Sequence, residues 1–315
     1  MGAPVVQQDS SLLLAGLDGE VVKTHGSQMI RVEQSWRELL ALLENDPSWQ
    51  IVFVLGPTDS GKTTLCRFLG QQLSQHWATA RVDCDPGQSV FGPPASLSVA
   101  WEPWDGSSLL ALRFVGSTSP SRHLLQTLTG VKRLSERAFE EGAQKVVFDS
   151  CGYMDTGAGR EFHFQTLDLV EPDHLVALQR GNEMESLLAN FTRRARPRLH
   201  RLATSTAAMG RSPVQRQFYR RQKFDRYFKD ASPQMLPLDG MGFHGMVPPL
   251  GAPGSHRHLL IALCDRRGFV VVLGIIEELD LVGGCLRLYS PPFESSQIAS
   301  VQFGSIRLDR SGQEL

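Results

Sequence analysis

Cysteine is scarce in this chain, and its placement argues against two kinds of fold. The sequence has 5 cysteines among 315 residues, with no CxxC pair and no Cys/His cluster at metal-ligand spacing. This pattern indicates neither a disulfide framework nor a structural zinc site. A reducing compartment is the simplest interpretation of scattered cysteines. They stand at Cys66, Cys84, Cys151, Cys264 and Cys285.

Long apolar runs are also missing. The longest covers residues 269–276, which is far too short to cross a bilayer. The N-terminus lacks a basic region followed by an apolar stretch and a small-residue cleavage site, so we expect no secretory signal. We therefore expect a cytoplasmic protein without a membrane partner. Internal repeats and low-complexity tracts are absent from the sequence as well.

The net charge is only -1, but the charge is unevenly distributed. Residues 193–229 contain 12 Lys or Arg and 1 acid, a local charge of +11 that leaves -12 for the rest of the chain. Such asymmetry indicates a segment that faces an anion. Hydrophobic residues make up 41% and charged residues 21%, as in ordinary globular proteins. The length predicts about two domains.

Strand patterns alternate with helical patterns over most of the chain, which predicts an α/β fold with a mostly parallel sheet flanked by helices. In such a sheet, ligands bind at the carboxyl ends of the strands. The predicted strands are residues 51–55, 80–84, 145–148 and 174–178, and the predicted helices are 33–43, one that holds Leu65, Phe68, Leu69 and Leu73, and 124–139.

The two ends of the chain do not show this alternation of strand and helix patterns. Short extended stretches at residues 12–14 and 29–32 predict a short N-terminal β element. Residues 231–255 are rich in Pro, Gly and Met, and we predict a domain boundary there. Apolar runs without intervening helices follow, which predicts a small C-terminal β domain. The predicted strands there are residues 259–264, 269–276, 285–289 and 298–308, and the predicted domains are 1–32, 33–235 and 236–315.

A phosphate-binding motif follows the first buried strand. Residues 56–63 fit the pattern G-x-x-x-x-G-K-[ST], and they lie between a predicted strand and a predicted helix. The glycines let backbone N–H groups surround a triphosphate, Lys62 reaches the outer phosphates and the Thr63 hydroxyl ligates magnesium. The motif predicts a P-loop kinase core. An accidental glycine turn is the weaker alternative.

Two acids end the second predicted strand, beside the phosphate loop. In the tract Asp83-Cys84-Asp85-Pro86-Gly87-Gln88, one carboxylate can order magnesium while the other accepts a proton from an attacking hydroxyl. We assign Asp85 as the base and Asp83 to magnesium, although the two roles are exchangeable at this stage. The alternative is a solvated strand end followed by a Pro-Gly turn.

The tract 148–153, Phe-Asp-Ser-Cys-Gly-Tyr, closes another strand and is ambiguous. As D-x-x-G it suits a nucleotide-hydrolysis switch, but the sequence has no N-K-x-D tract, which weakens a GTPase interpretation. As a loop that ends in an aromatic residue, it offers Tyr153 for stacking against a terminal base. A partly buried core tyrosine is an equally good interpretation.

The basic segment carries aromatic residues among its cations. Arg216 and Arg220 are four residues apart, so on a helix they point the same way, as lid arginines must if both reach one phosphoryl group. We predict both as catalytic together with Lys62 and Asp85. A solvated charged face is the alternative. The other basic residues are Arg211, Arg221, Lys223 and Arg226, and the aromatic ones are Phe218, Tyr219, Phe224, Tyr227 and Phe228.

Together these residues resemble a known family, the P-loop polynucleotide 5'-hydroxyl kinases related to the kinase of the pre-mRNA cleavage factor and to the nucleolar kinases of ribosomal RNA processing. The resemblance extends in consistent order over roughly residues 30 to 310. Its motifs are the phosphate loop Gly56, Pro57, Thr58, Asp59, Ser60, Gly61, Lys62, Thr63 and Thr64, the acidic tract 83–88, the tract 114–120, the clasp 150–153, the arginines Arg216 and Arg220 followed by Tyr227 and Phe228, and the C-terminal tracts 268–274 and 304–308.

The resemblance implies transfer of the γ-phosphate of ATP, with Mg2+, to a 5'-hydroxyl end of RNA, with DNA as a second candidate. It also implies that substrate is bound by Gln88, Ser119, Pro120, Ser150, Gly152 and Tyr153. Two residues depart from the family pattern: the clasp aromatic is Tyr153 in place of the usual tryptophan, and Arg122 stands where glycine often precedes histidine. The N-terminal β domain of the larger relatives is nearly absent, so the choice of nucleotide stays open.

Two other functions remain compatible with the sequence. One is an ATP-bound scaffold of an RNA-processing complex that has lost transfer activity, because a fold does not guarantee its chemistry. The other is a small-molecule kinase or NTPase, against which the basic segment argues. The sequence identifies no protein partner and does not distinguish RNA from DNA.

Overall fold

The computed structural model describes residues 20–23, 29–205, 210–249 and 254–315. The predicted extended stretch at 12–14 lies outside the described residues. Near the N-terminus, strand β1 (Glu20–Lys23) pairs antiparallel with strand β2 (Met29–Val32). This hairpin is the short N-terminal β element.

A seven-stranded sheet forms the body of the protein, in the order β6-β5-β4-β7-β3-β8-β9. Five neighbouring strands, from β4 to β9 in this order, are parallel, and β5 and β6 extend the sheet antiparallel at one side. The strands are β3 (Ile51–Leu55), β4 (Thr79–Asp83), β5 (Ser96–Trp101), β6 (Leu109–Phe114), β7 (Lys145–Asp149), β8 (His174–Gln179) and β9 (Arg198–Ala203). The helices are α1 (Gln34–Asn45), α2 (Lys62–Leu73), α3 (Leu124–Glu140), α4 (Gly157–Val170), α5 (Glu185–Leu188) and α6 (Pro213–Tyr227).

The apolar central strands explain why helices cover both faces of this sheet. Successive side chains of a strand point to opposite faces, so a wholly apolar strand such as β3 must be buried on both. Phe53 and Leu55 pack into one core with α3 and α4, whereas Val52 and Val54 pack into the other with α1 and α2. The predicted α/β fold is confirmed.

A second, six-stranded sheet follows, in the order β10-β14-β13-β12-β15-β11. It is antiparallel except for the parallel pair β11 and β15. Two of its strands lie within residues 231–255, where we predicted a domain boundary, and the position of that boundary stays a prediction. The strands are β10 (Ser232–Pro237), β11 (Gly242–Gly245), β12 (Leu259–Cys264), β13 (Val270–Asp280), β14 (Cys285–Ser290) and β15 (Ser300–Arg307), with a short 3-10 helix at Ser295–Gln297.

Helix α6 joins the two sheets. Its N-terminus is fixed by a capping box between Ser212 and Gln215, with Pro213 in the first turn. Phe224 and Phe228 are buried against Leu260 and Leu273 of the second sheet. The basic segment thus includes a helix that is anchored on one side, which leaves its N-terminal half free to contact the first sheet. The division at residues 235 and 236 stays a prediction, and β10, which crosses it, belongs by its pairing to the second sheet.

Among the residues that the structure describes, no helix has the length and apolar character needed to cross a bilayer.

Candidate active site

The phosphate loop lies between β3 and α2, as its motif predicts. Gly61, the residue before α2, has a φ of 93°, a left-handed conformation that glycine adopts without strain. A side chain at Gly56 would meet the Leu178 carbonyl oxygen at 2.7 Å, so only glycine fits there. Lys62 is buried, and its ammonium donates to the Pro57 carbonyl at 2.7 Å. The loop therefore presents its backbone at the helix N-terminus, where an anion is favoured.

Gly152 of the predicted clasp packs directly on this loop. The Thr58 hydroxyl donates to the Gly152 carbonyl at 3.3 Å. A Cβ at Gly152 would lie 2.7 Å from the Cα and 2.8 Å from the N of Thr58. Because those are backbone atoms, a side chain at Gly152 would have to displace the phosphate loop itself.

We expect Gly152→Ala to weaken nucleotide binding by at least about tenfold, since overpacking costs about 1–3 kcal/mol and would here distort the loop. Isothermal titration of ATP into the purified variant measures the effect. Gly157→Ala is the matched control, because a Cβ at Gly157 meets nothing within 4 Å. Equal affinities for the two variants would contradict the prediction.

Acidic side chains meet at the carboxyl edge of the sheet, beside the phosphate loop. Asp83 ends β4 and Asp149 ends β7, and the two residues are directly paired across neighbouring parallel strands. Asp85 follows two residues later, half-buried at the wall of the cleft. Burial, together with the nearby Asp149 carboxylate, raises the pKa of Asp83 to about 7. The pKa of Asp149 is also raised by burial, against the opposing charges of Arg81 and Lys62. A cation at this edge would therefore be stabilised.

Asp149 is a functional candidate that the sequence analysis placed only in a D-x-x-G pattern and gave no role in the kinase site. One of its carboxylate oxygens accepts a hydrogen bond from the Thr63 side chain, and the other, Oδ1, is buried without a partner among the described residues. An unpaired buried carboxylate oxygen beside a threonine hydroxyl fits a hard divalent cation, which prefers oxygen ligands. The available signal was its place at the end of an apolar strand next to the phosphate-loop strand.

The two predicted acids have different surroundings. Asp83 uses both carboxylate oxygens within its own loop: Oδ1 accepts from the Asp85 N–H at 3.1 Å, and Oδ2 accepts from the Val90 N–H at 2.6 Å. Asp85 uses Oδ1 alone, which accepts from the N–H groups of Gly87 and Gln88 at 2.8 and 3.1 Å. Within the described residues, Asp85 thus keeps an oxygen for substrate, whereas the role of Asp83 as a magnesium residue stays a prediction.

The two predicted lid arginines do not point to the same place. Arg216 forms an ion pair with Asp59 of the phosphate loop, with its Nη2 at 2.6 Å from the carboxylate. Arg220 is paired instead with Glu314, with its Nε also at 2.6 Å. Arg211, which was not assigned a role, donates its backbone N–H to Asp59 at 3.0 Å and lines the cleft. Helix α6 thus closes over the phosphate loop through Arg216 and the residues before it.

The predicted substrate residues divide into two groups. Gln88, Ser150 and Gly152 line the cleft, and the Ser150 hydroxyl is buried without a partner in the described part of the chain. Tyr153 is half-buried just beyond Gly152. Ser119 and Pro120 lie outside the cleft wall, in a segment that reaches the acids through the contact of Gly87 with the Thr118 carbonyl.

The same segment contains Arg122, where the family often has glycine. Arg122 has a φ of 65°, which is the left-handed region that glycine favours. The next residue, His123, is buried and hydrogen-bonded to Ser305 of the second sheet at 2.9 Å. This strained turn is therefore fixed by the second sheet.

The phosphate loop, Asp85 and part of the basic segment border one cleft of about 450 Å³. Its walls offer backbone N–H groups, basic side chains and carboxylates. Such groups meet the needs of phosphoryl transfer, which are positioning, neutralisation of charge and a proton acceptor. The lining residues are Thr58, Asp59, Ser60, Gly61, Lys62, Thr63, Thr64, Arg67, Asp85, Gln88, Val90, Ser150, Gly152, Arg211 and Tyr219.

The chain is similar in sequence to several known proteins and in fold to a solved structure. It is 25% identical to a polyribonucleotide 5'-hydroxyl-kinase of Methanocaldococcus jannaschii, over 88% of this chain and 92% of that protein. It is 28% identical to a polyribonucleotide 5'-hydroxyl-kinase of Thermococcus kodakarensis, over 88% and 94% of the two chains. The fold is similar to that of Clp1p in its complex with Pcf11p (454–563), with a TM-score of 0.68 at 12% identity, over 90% of this chain and 82% of that one.

The model of one protein family matches more than half of the chain. It is the P-loop domain of the mRNA cleavage and polyadenylation factor CLP1, and the match covers residues 56–230. This range begins at the first glycine of the phosphate loop and ends just after helix α6, so it includes the acids, the clasp and the basic helix. The chain therefore belongs to the CLP1 P-loop family.

Proposed function

We propose that this chain is a polynucleotide 5'-hydroxyl kinase that transfers the γ-phosphate of ATP to the 5'-hydroxyl end of RNA. The observation that carries the proposal is the common cleft of the phosphate loop, Asp85 and the basic helix α6. A nucleotide hydrolase needs the first of these, whereas a kinase also needs a base for the acceptor hydroxyl. The names of the relatives in Methanocaldococcus and Thermococcus support the same activity.

In this proposal the phosphate loop, residues 56–64, binds the triphosphate. Lys62 and Arg216 neutralise the transferred group, and Asp85 accepts the proton of the 5'-hydroxyl through its free oxygen. Arg220 was predicted to act with Arg216. Its partner Glu314 would have to release it first, because its side chain is engaged at 2.6 Å.

The Thr63 hydroxyl and Asp149 would hold Mg2+, since their oxygens face each other at the strand end. When bound, the ion neutralises charge on the outer phosphates. The predicted contribution of Asp83 to this ion remains part of the proposal.

The acceptor end would be positioned by Gln88, Ser150, Gly152 and Tyr153, with Ser119 and Pro120 beyond them. Tyr153 offers a smaller stacking surface than tryptophan, so we expect looser selection of the terminal base. The positive charge of residues 193–229 suits a polyanion better than a small metabolite. RNA is our first choice of substrate and DNA the second.

The test is incubation of the chain with Mg2+, γ-labelled ATP and matched oligonucleotides that carry either a 5'-hydroxyl or a 5'-phosphate. We expect label on the hydroxyl end only, and RNA and DNA versions of the same sequence give the preference. Labelling of neither oligonucleotide would overturn the proposal.

A scaffold function is the second candidate, because one structure that this fold resembles is a complex of Clp1p with a protein, Pcf11p. It predicts that ATP binds tightly to this chain and is not turned over with any oligonucleotide. The labelling assay together with ATP titration distinguishes the two functions.

A further inference from the structure

Helix α6 grips the loop that carries the acids, in addition to the phosphate loop. We call residues 84–90 the acid loop. The Tyr219 hydroxyl donates to the Ser89 carbonyl at 2.8 Å, and the Lys223 ammonium donates to the Val90 carbonyl at 2.6 Å. Two consecutive carbonyls of the acid loop are therefore held by side chains one helical turn apart.

A single peptide group of the acid loop links helix α6 to Asp83 through hydrogen bonds. The carbonyl of Ser89 and the N–H of Val90 belong to the same planar peptide, so they point in opposite directions and move together. Tyr219 binds the carbonyl end of this peptide, and Asp83 accepts from its N–H end at 2.6 Å. Any rotation of the peptide would therefore break both hydrogen bonds.

Neighbouring contacts extend the same attachment toward Asp85. Arg211, just before α6, donates to the Gln88 side chain at 3.3 Å, and the Gln88 N–H donates to Asp85. Two cations lie near the Tyr219 ring, Arg211 at 5.8 Å and Lys223 at 5.9 Å from its centroid. Helix α6 and the residue Arg211 before it thus contact three successive residues of the acid loop while Arg216 contacts Asp59.

We propose that Tyr219 and Lys223 are positioning residues that make the placement of Asp83 and Asp85 depend on the docking of α6 over the cleft. The proposal rests on the kinase function proposed above. With α6 docked, the acid loop is held for proton acceptance at the moment when Arg216 covers the phosphate loop. With α6 displaced, the peptide between Ser89 and Val90 loses its partner on the helix, and the acids lose their fixed geometry. An open cleft would therefore transfer less phosphate from ATP to water.

The experiment compares Tyr219→Phe, Lys223→Met and the double variant with Lys132→Met, which removes a half-exposed lysine on α3, outside the basic segment. We measure kcat and the KM for ATP in the labelling assay, and amide hydrogen exchange of the acid loop in the same proteins. We expect the double variant to lose at least about tenfold in kcat, because small displacements of a catalytic group are costly. We expect its KM for ATP to stay within about twofold, since the phosphate loop is untouched.

Exchange at the Val90 amide should rise at least about tenfold in the double variant and stay unchanged in Lys132→Met. Lys223→Arg, which keeps a donor, should recover part of the kcat. Unchanged exchange, or faster exchange without a fall in kcat, would overturn the proposal, as would equal losses in kcat and ATP affinity. If the wild type labels no oligonucleotide, the proposed function fails and with it the catalytic role. If the wild type is active and the variants match it, only the positioning role fails.

Discussion

Lys62→Ala should reduce phosphoryl transfer by at least about 100-fold, the scale of losing a charged group that stabilises the transferring phosphoryl. Lys62 begins α2 and is buried within the phosphate loop. Its ammonium is the cation nearest to the loop backbone, 2.7 Å from the Pro57 carbonyl. Arg216 and Arg220 do not occupy its position, because their side chains are paired with Asp59 and Glu314.

Transfer of labelled phosphate to a 5'-hydroxyl oligonucleotide measures this loss, and circular dichroism confirms that the variant is folded. Lys132→Ala is the matched control, since it removes the same charge from a half-exposed position on α3, outside the basic segment. A Lys62→Ala variant with more than a tenth of the wild-type rate would contradict the assignment of Lys62 and with it the phosphate-loop mechanism.

The parallel core of the fold was predictable because its strands are buried on both faces. The predicted strand at residues 51–55 matches β3, the predicted strand at 80–84 is shifted by one residue from β4, and the predicted strand at 174–178 is one residue shorter than β8. Continuous apolar runs of this kind are visible without knowledge of the neighbours. The confirmed fold class followed from these runs and from the phosphate-loop motif.

Two of the strands that the sequence did not predict, β9 and β10, lie at an edge of each sheet. β9 contains two arginines and a histidine, and β10 contains two prolines. Each is the last strand of its sheet, where one side is unpaired and half-exposed side chains and prolines are tolerated. Such strands have no apolar signature of their own, because their pairing is decided by the sheet they join.

In the candidate site too, features that depend on residues distant in sequence could not be predicted. Residues 56–64 are recognisable because their spacing is local. The role of Asp149 depends instead on its contacts with Asp83 and Thr63, which are distant in sequence. The separate partners of Arg216 and Arg220 were equally hidden. Helical spacing correctly puts them on one helix, but Glu314 comes from the other end of the chain.

Asp85→Asn should reduce kcat by about 100-fold to 10,000-fold, the usual contribution of a general base. The substitution preserves the local contacts. Among the described residues, the hydrogen bonds that the Asp85 side chain accepts go to Oδ1, and asparagine retains an oxygen there. Affinity for ATP should therefore stay close to that of the wild type.

Asp83→Asn tests the exchanged assignment, and its expected signature differs. Both carboxylate oxygens of Asp83 accept N–H groups, so the asparagine NH2 would face a donor and loosen the acid loop. Asp149→Asn should instead raise the Mg2+ concentration needed for half-maximal transfer, because Asp149 holds the unpaired buried oxygen. Single-turnover transfer measured across a Mg2+ titration separates the three variants. If Asp85→Asn transfers phosphate at the wild-type rate while Asp83→Asn does not at any Mg2+ concentration, then Asp83 is the base and the roles are reversed.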